Sequence, residues 1–508
     1  MPELLIRNAI VPRGPWADIA GSVDVLISSA RSPSGESAGA PQIVEVRPST
    51  RPSASLGDRG AVEVLDAGGR WLVPGLWDEH VHASTWASSL RRIDLSAARS
   101  AAEAVELARS LSDPSTGSGT DPSKGAPTLI GRDLRDALWP DRPTIALLDA
   151  AFPERPVVLF NLDLHSCWVN SAAVRRYGLP VTDGLLREHD CYRLAVALDD
   201  EAAAERDAWL AEAAPTASAR GVVGIHDLEM GYNVDDWRAR FAAGFTAFRV
   251  DSGVYWPDLE RAAADGLRTG LELGPLHRVG SFKVITDGSL GTRNAYCVDP
   301  YPGTHDHGTL NVPPDELRTE LRRAQEIGLE PAVHAIGDEA NRLALDAMIE
   351  LGTGGRIEHA QLLRDPDVAR FAAGGITASV QPEHALDDRD IAERYWAGRT
   401  RRGYLIRSLL DAGARVRFGS DAPVAPLDPW QAISAAVIRT KDGREPWHPE
   451  QAVSSGEALA CSVRSAVRPG EPADLVLLDA DPLGDPERLR TMPVAATLVA
   501  GRVTHSTL

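Results

Sequence analysis

The chain has 508 residues, 43% hydrophobic and 25% charged; these are ordinary globular proportions over a length ample to bury a core, so a disordered or fibrous chain is not expected. Acidic residues outnumber basic ones 72 to 53, a net charge of −19, and so negative a surface argues against nucleic-acid or membrane-surface binding as the main role. Cys167, Cys191, Cys297 and Cys461 show no CxxC spacing, which suits free thiols in a reducing cytoplasm. The opening MPELLIRNAIVPRG lacks a basic region followed by a long apolar run, and no stretch approaches 18 uninterrupted apolar residues. Neither export nor a membrane span is therefore expected.

In chain order, ELLIRNAIV, SVDVLIS and AVEVLDAGGRWLVPG read as strands near the start, separated by a Ser-, Pro- and Gly-rich stretch at 29–60 that reads as surface loop. WLVPGLWDEHVH (71–82) follows as an apolar strand, then a long insertion over 84–215 with strands of its own such as RPVVLFNLD and a helix-like SAAVRRYG. Within it, 111–127 has the DP, SG and GT signals of a second loop. Seven further strands follow: VVGIHD (222–227), TAFRVD (246–251), SFKVITD (281–287), EPAVHA (330–335), RIEHA (356–360), ITASVQ (376–381) and RVRFGSD (415–421). Amphipathic helices such as PDELRTELRRAQEIG and DEANRLALDAMIELG separate most of them. Eight buried strands alternating with helices predict an α/β chain, a (β/α)8 TIM-like barrel over 71–461. ADLVLLDAD and AATLVAGRVTHS at the end pair with the opening strands in a small β-sandwich domain built from both termini, 1–70 and 462–508.

The polar groups fall at strand ends. His80 and His82 close the first strand, and residues i and i+2 of a strand face the same side, so both imidazoles can reach one metal ion. His334 closes the fifth strand, His359 the sixth and Asp421 the eighth. Barrel active sites gather at the C-terminal ends of the strands, so these residues share one mouth despite spanning more than 300 positions. Only Lys124, Lys283 and Lys441 among the 53 basic residues are lysines, and Lys283 lies inside an apolar strand where a bare ammonium is costly. It either pairs with a carboxylate, Asp287 being a candidate, or is deprotonated and carboxylated to a carbamate that bridges two ions.

These segments resemble successive motifs of the amidohydrolase superfamily, and specifically amidohydrolase family 3, the branch that includes N-substituted formamide deformylase. The resemblance rests on VPGLWDEHVHAS, SFKVITDGSLGTRNA, VHAIGDEAN, RIEHAQLL and FGSDAPVAPLDPW, on PVVLFNLDLHSCWVNSAAV and GLLRE in the insertion, on QPEHALDD, and on PADLVLLDADP at the end. Trp77 and Glu79 depart from the aliphatic and the small or polar residue more usual in the first motif.

The resemblance implies a metal-dependent hydrolase of a non-peptide C–N bond, an amide, with an N-substituted formamide as the specific candidate. His80 and His82 would hold one ion, carboxylated Lys283 would bridge, His334 and His359 would hold a second, and Asp421 would transfer protons. One or two divalent ions fit the set, with zinc suiting the imidazole and carboxylate ligands and manganese, iron or nickel as alternatives. Asp163, His165, Asn170, Glu188 and Arg293, with His226 and His384 at the second and seventh strand ends, are the candidate substrate contacts. Deamination or cyclic-amide opening on the same site, or a metal-free non-catalytic relative, are the competing readings. A small-molecule amide is the expected partner, with no nucleic acid or membrane, and self-association into a homodimer is left open.

Overall fold

A computed structural model of the protein describes residues 3–31, 37–49, 62–112, 127–180 and 183–508. Eight strands stand side by side in sequence order, each parallel to the next: Leu76–Val81, Val222–Asp227, Arg249–Tyr255, His277–Ile285, Pro331–Ala335, Arg356–His359, Thr377–Val380 and Val416–Phe418. The ring closes beyond the last strand. Asp421 N–H donates to His80 O at 2.7 Å and His82 N–H to Ala422 O at 2.9 Å. Gly419 permits this approach, since a Cβ there would lie 2.7 Å from the His80 backbone nitrogen.

Alternation along each strand sorts the side chains. Phe282 and Val284 pack outward into the main core with Leu317, Leu321 and Ala324 of helix Pro314–Ile327, and Lys283 between them takes the opposite face. The helix obeys its local signals: Pro314 at its start, Asp315 and Glu316 in the first turn against the helix dipole, and Gly328 at φ 93° as its left-handed cap. Helix Asp338–Leu351, capped by Gly352, covers the next strand in the same way.

A second sheet joins the two ends of the chain. Glu3–Val11 pairs with Gly21–Arg31 and Val62–Asp66, while Trp71–Pro74 lies antiparallel to Leu475–Leu478, followed by Val494–Val499 and Arg502–Ser506. The insertion forms a third sheet of five strands, Leu185–Arg187, Ser166–Val169, Val157–Asn161, Leu129–Leu134 and Ile93–Asp94 in spatial order.

The expected strand 71–82 is two strands. Gly75 separates Trp71–Pro74, which joins the terminal sheet, from the first barrel strand, because a Cβ there would meet Val223 at 2.3 Å. The third and fourth strands run Arg249–Tyr255 and His277–Ile285, displaced by up to four residues from the expected bounds. The loop expected over 29–60 is in part a strand: Ser37–Pro48 pairs with Gly21–Arg31, and Ile43 is fully buried beside Val25 and Leu475. Residues 32–36 and 50–61, and nearly all of the loop expected over 111–127, lie outside the described residues.

Ile43→Ala is expected to destabilise the protein by about 2–5 kcal/mol, the cost of a cavity in a packed core. Chemical denaturation monitored by fluorescence checks it, and an effect near zero would return this segment to the surface.

Candidate metal centre

Every residue that the sequence places around the metal arrives at one mouth. His80 and His82 leave the first strand, Lys283 stands on the fourth, His334 on the fifth, His359 ends the sixth, and Asp421 follows the eighth. Asp421 Oδ1 lies 3.4 Å from Nε2 of both His80 and His82, and Lys283 Nζ lies 3.3 Å from His80 Nε2. Ring centroids of His80 and His359 are 4.9 Å apart, and those of His334 and His359 4.4 Å. Among the described residues, two groups have ligand atoms close enough to share an ion, His80–His82–Asp421 and His359–His384–Asp421. Asp421 belongs to both.

The backbone is held under strain here. His359 has φ 73°, Asp421 φ 59°, Glu188 φ 45° and Arg293 φ 62°, left-handed conformations that cost a non-glycine residue about 1 kcal/mol each.

Burial and neighbours set the protonation states. Burial, with the Lys283 charge next, holds His80 and His334 well below the ordinary imidazole range, and burial together with His334 does so for His359. All three are thus neutral, as a metal ligand must be. Burial pulls the Lys283 ammonium down to about 8, against the raising charges of Glu358 and Asp421. Burial opposes a charge on His165 too, yet the Glu188 carboxylate, 2.8 Å from its Nδ1, outweighs that and pushes it up to about 9.

The donor set fits a divalent ion. His384 Nε2 is buried with no hydrogen-bond partner among the described residues, and His334 Nε2 has no hydrogen bond there, its nearest carboxylate oxygen being Asp287 Oδ1 at 3.4 Å, a cost that a ligand ion would remove. The far nitrogens are already engaged: His80 Nδ1 meets Glu358 Oε2 at 2.7 Å, and His359 Nδ1 meets Gln381 Oε1 at 2.9 Å. Such contacts fix tautomer and ring orientation and leave Nε2 for the metal. Lys283 has no carboxylate within ion-pair distance among the described residues, and the expected Asp287 partner is otherwise occupied. Asp287 accepts the backbone N–H groups of Tyr296, Ile336 and Gly337.

The substrate candidates divide. Asp163, which accepts from Ser289 Oγ at 2.6 Å, lines the cleft above the histidines, as do His165 and His384. Glu188 stands behind His165, accepting also from Asn294 and Thr292. Three candidates lie elsewhere. Asn170 is a buried helix cap, bonded to Val157, Ala173, Phe152 and Arg155, and tied up by backbone. His226 does not reach the rim: its ring lies lower in the barrel against Arg356, 2.8 Å from Nδ1, and the Ser281 backbone. Arg293 stacks over Tyr395 and does not line the cleft. Trp77 also faces away from the mouth, its ring 3.8 Å from the Arg464 guanidinium, which itself pairs with Glu79, so the two departures from the usual motif share one partner.

Glu358, Gln381 and Tyr192, whose hydroxyl lies 2.6 Å from His165 Nδ1, are the site residues that sequence reasoning missed. Arg356 and Glu358, two charges at i and i+2 in a four-residue buried strand, were the available signal for the first of them.

A parallel barrel whose strand ends gather histidines, a buried lysine and an aspartate defines a metal-dependent hydrolase. The sequence model of the amidohydrolase family matches residues 63–505, and the chain belongs to that family. It is 28% identical to Protein LONG AFTER FAR-RED 3 of Arabidopsis thaliana, over 88% of this chain and 84% of that one. It is 27% identical to N-substituted formamide deformylase of Arthrobacter pascens, covering 90% and 91%. Among solved structures, an uncharacterized metal-dependent hydrolase from Pyrococcus furiosus superposes with a TM-score of 0.73 at 25% identity, over 95% of this chain and all of that one.

Glu358→Gln keeps an acceptor beside His80 but removes the charge and the ion pair with Arg356. Metal affinity is expected to fall about 10- to 100-fold, read by competition against a chromogenic chelator, with the circular dichroism spectrum unchanged. Unaltered affinity would show that Glu358 does not orient the ligand.

Proposed function

We propose that the protein hydrolyses a non-peptide amide bond of a small molecule, with zinc held by His80, His82, His334 and His359 and with Lys283 carboxylated between two ion positions. The observation that carries this reading is that these side chains and Asp421 line one cleft. Bound zinc supplies Lewis acidity, which makes water nucleophilic near neutral pH and polarises a carbonyl. Asp421 holds the proton lost by the attacking water on a carboxylate oxygen and delivers it to the leaving nitrogen. A C–O bond forms, the C–N bond breaks, and a carboxylic acid and an amine depart. His165, charged beside Glu188, places a positive group where oxyanion charge develops.

The buried Lys283 amine, with no carboxylate within ion-pair distance among the described residues, supports carboxylation. Its lone pair forms a bond to the carbon of carbon dioxide, one N–H proton passes to solvent, and two carbamate oxygens become available as ligands. Four buried, free cysteines, with no helix long and apolar enough to cross a membrane among the described residues, support work in the cytoplasm.

Zinc-loaded protein is expected to release amine from N-substituted amides, to lose that activity on dialysis against a chelator, and to regain it with zinc. Ammonia release from aminated heterocycles without amide turnover would refute the reading. Asp421→Asn should lower kcat by about 10² to 10⁴ while elemental analysis finds most of the metal retained; near wild-type kcat removes Asp421 from proton transfer. Lys283→Ala and Lys283→Arg should both lose metal and activity, since a guanidinium stays charged and cannot be carboxylated, and formate or acetate should partly restore the alanine variant. An active arginine variant with full metal content would overturn the carbamate.

A further inference from the structure

The cleft above the metal centre has two lobes. The first, with a cavity volume of about 350 Å³, runs past Phe160, Leu164, Met230 and Tyr255, with charged Arg92, Arg206 and Glu229 also in its wall. The second, about 330 Å³, runs past Leu138, Trp139, Leu290 and Ile391, with charged Arg99, Arg135 and Asp390 also in its wall. Each alone falls within the size of an ordinary small-molecule site, about 300–1,000 Å³. The residues common to both are Asp163, His165, His359, Asp421 and Val424. His80, His82, Lys283 and His334 line the first lobe only, and His384 the second only.

Two residues of the candidate centre, His359 and Asp421, therefore stand at the junction of the lobes. Asp421, which both candidate ligand groups share, is shared by both lobes, so a bond cleaved beside Asp421 has one lobe on either side. A secondary amide is planar and trans, and its acyl and nitrogen substituents leave the C–N bond in opposite directions. A formamide would extend in one direction only and leave the other lobe without a substituent to fill it.

We infer that the substrate is a secondary amide with a substantial group, apolar in part, on each side of the scissile bond, one seated in each lobe. The inference rests on the amide reading given above and narrows it: the acyl group is larger than formyl. Wall residues of the two lobes, Met230 and Ile391, then each govern selectivity for one arm.

The test uses zinc-loaded full-length protein and a grid of amides, with formyl, acetyl, butanoyl and hexanoyl groups on benzylamine and on methylamine. From formyl to butanoyl, kcat/KM is expected to rise by at least about 10-fold, and from methylamine to benzylamine by a similar factor, because a methylene seated in an apolar pocket discriminates by roughly 10-fold or more. Met230→Trp and Ile391→Trp, which narrow different lobes, should each abolish the gain along one arm and spare the gain along the other. Formamides cleaved fastest, or a rate indifferent to acyl length with the amine preference intact, would overturn the two-armed substrate and leave amide hydrolysis standing. Both variants blunting the same arm would also overturn it. No amide cleaved anywhere in the grid, with ammonia released from aminated heterocycles, would refute the amide reading itself and this inference with it.

Discussion

The barrel is sealed by residues of its candidate metal centre. The seam between the first and eighth strands has no room for a separate structural joint: His80 O and His82 N–H take their backbone partners from Asp421 N–H and Ala422 O, and the side chains of His80, His82 and Asp421 meet just above. Backbone bonds in a sheet are obligatory when buried, so the spacing of these three groups is set by ladder geometry rather than by flexible side-chain reach. Gly419 makes that ladder possible, and the left-handed turn at Asp421 aims the carboxylate inward.

Beneath this seam runs a chain of buried charge. Arg464 and Arg356 both hold Glu79, Arg356 holds Glu358, and Glu358 holds His80. Breaking such a series leaves an uncompensated charge in a dry interior, which costs far more than any one contact contributes. His80 is thus anchored to the far end of the barrel, where Arg464 lies against the Trp77 ring and pairs with Asp251. A residue that reads as an oddity of the first motif, Trp77, is part of that anchorage and not of the substrate pocket.

Much of this was legible in the sequence because strand periodicity and barrel polarity are strong constraints. Eight apolar runs, each ending in a polar group, place His80, His82, His334, His359 and Asp421 on one rim without any knowledge of side-chain contacts. The failures have a common cause. Asn170, His226 and Arg293 were assigned from residue type and proximity to a strand end or loop, but whether a polar side chain meets substrate or backbone depends on packing between distant segments. Asn170 satisfies four backbone groups of its own neighbourhood, and His226 fills space beside Gly280, more than 50 residues away. The strand at Ser37–Pro48 was hidden by its composition, since serine and proline signal loops on average while its fixed partner, Gly21–Arg31, overrides that tendency.

Gly75 joins two strands of one continuous backbone, Trp71–Pro74 in the terminal sheet and Leu76–Val81 carrying the histidines. The antiparallel neighbour of the first of these is Leu475–Leu478, some 400 residues downstream. On the ribosome, then, the edge next to the histidine strand waits without its partner until some 400 further residues have been made. Loop closure over such a length is slow, and an unpaired apolar edge invites adhesion to other nascent chains. The late arrival of Leu475–Leu478 therefore both extends the sheet and shields that margin.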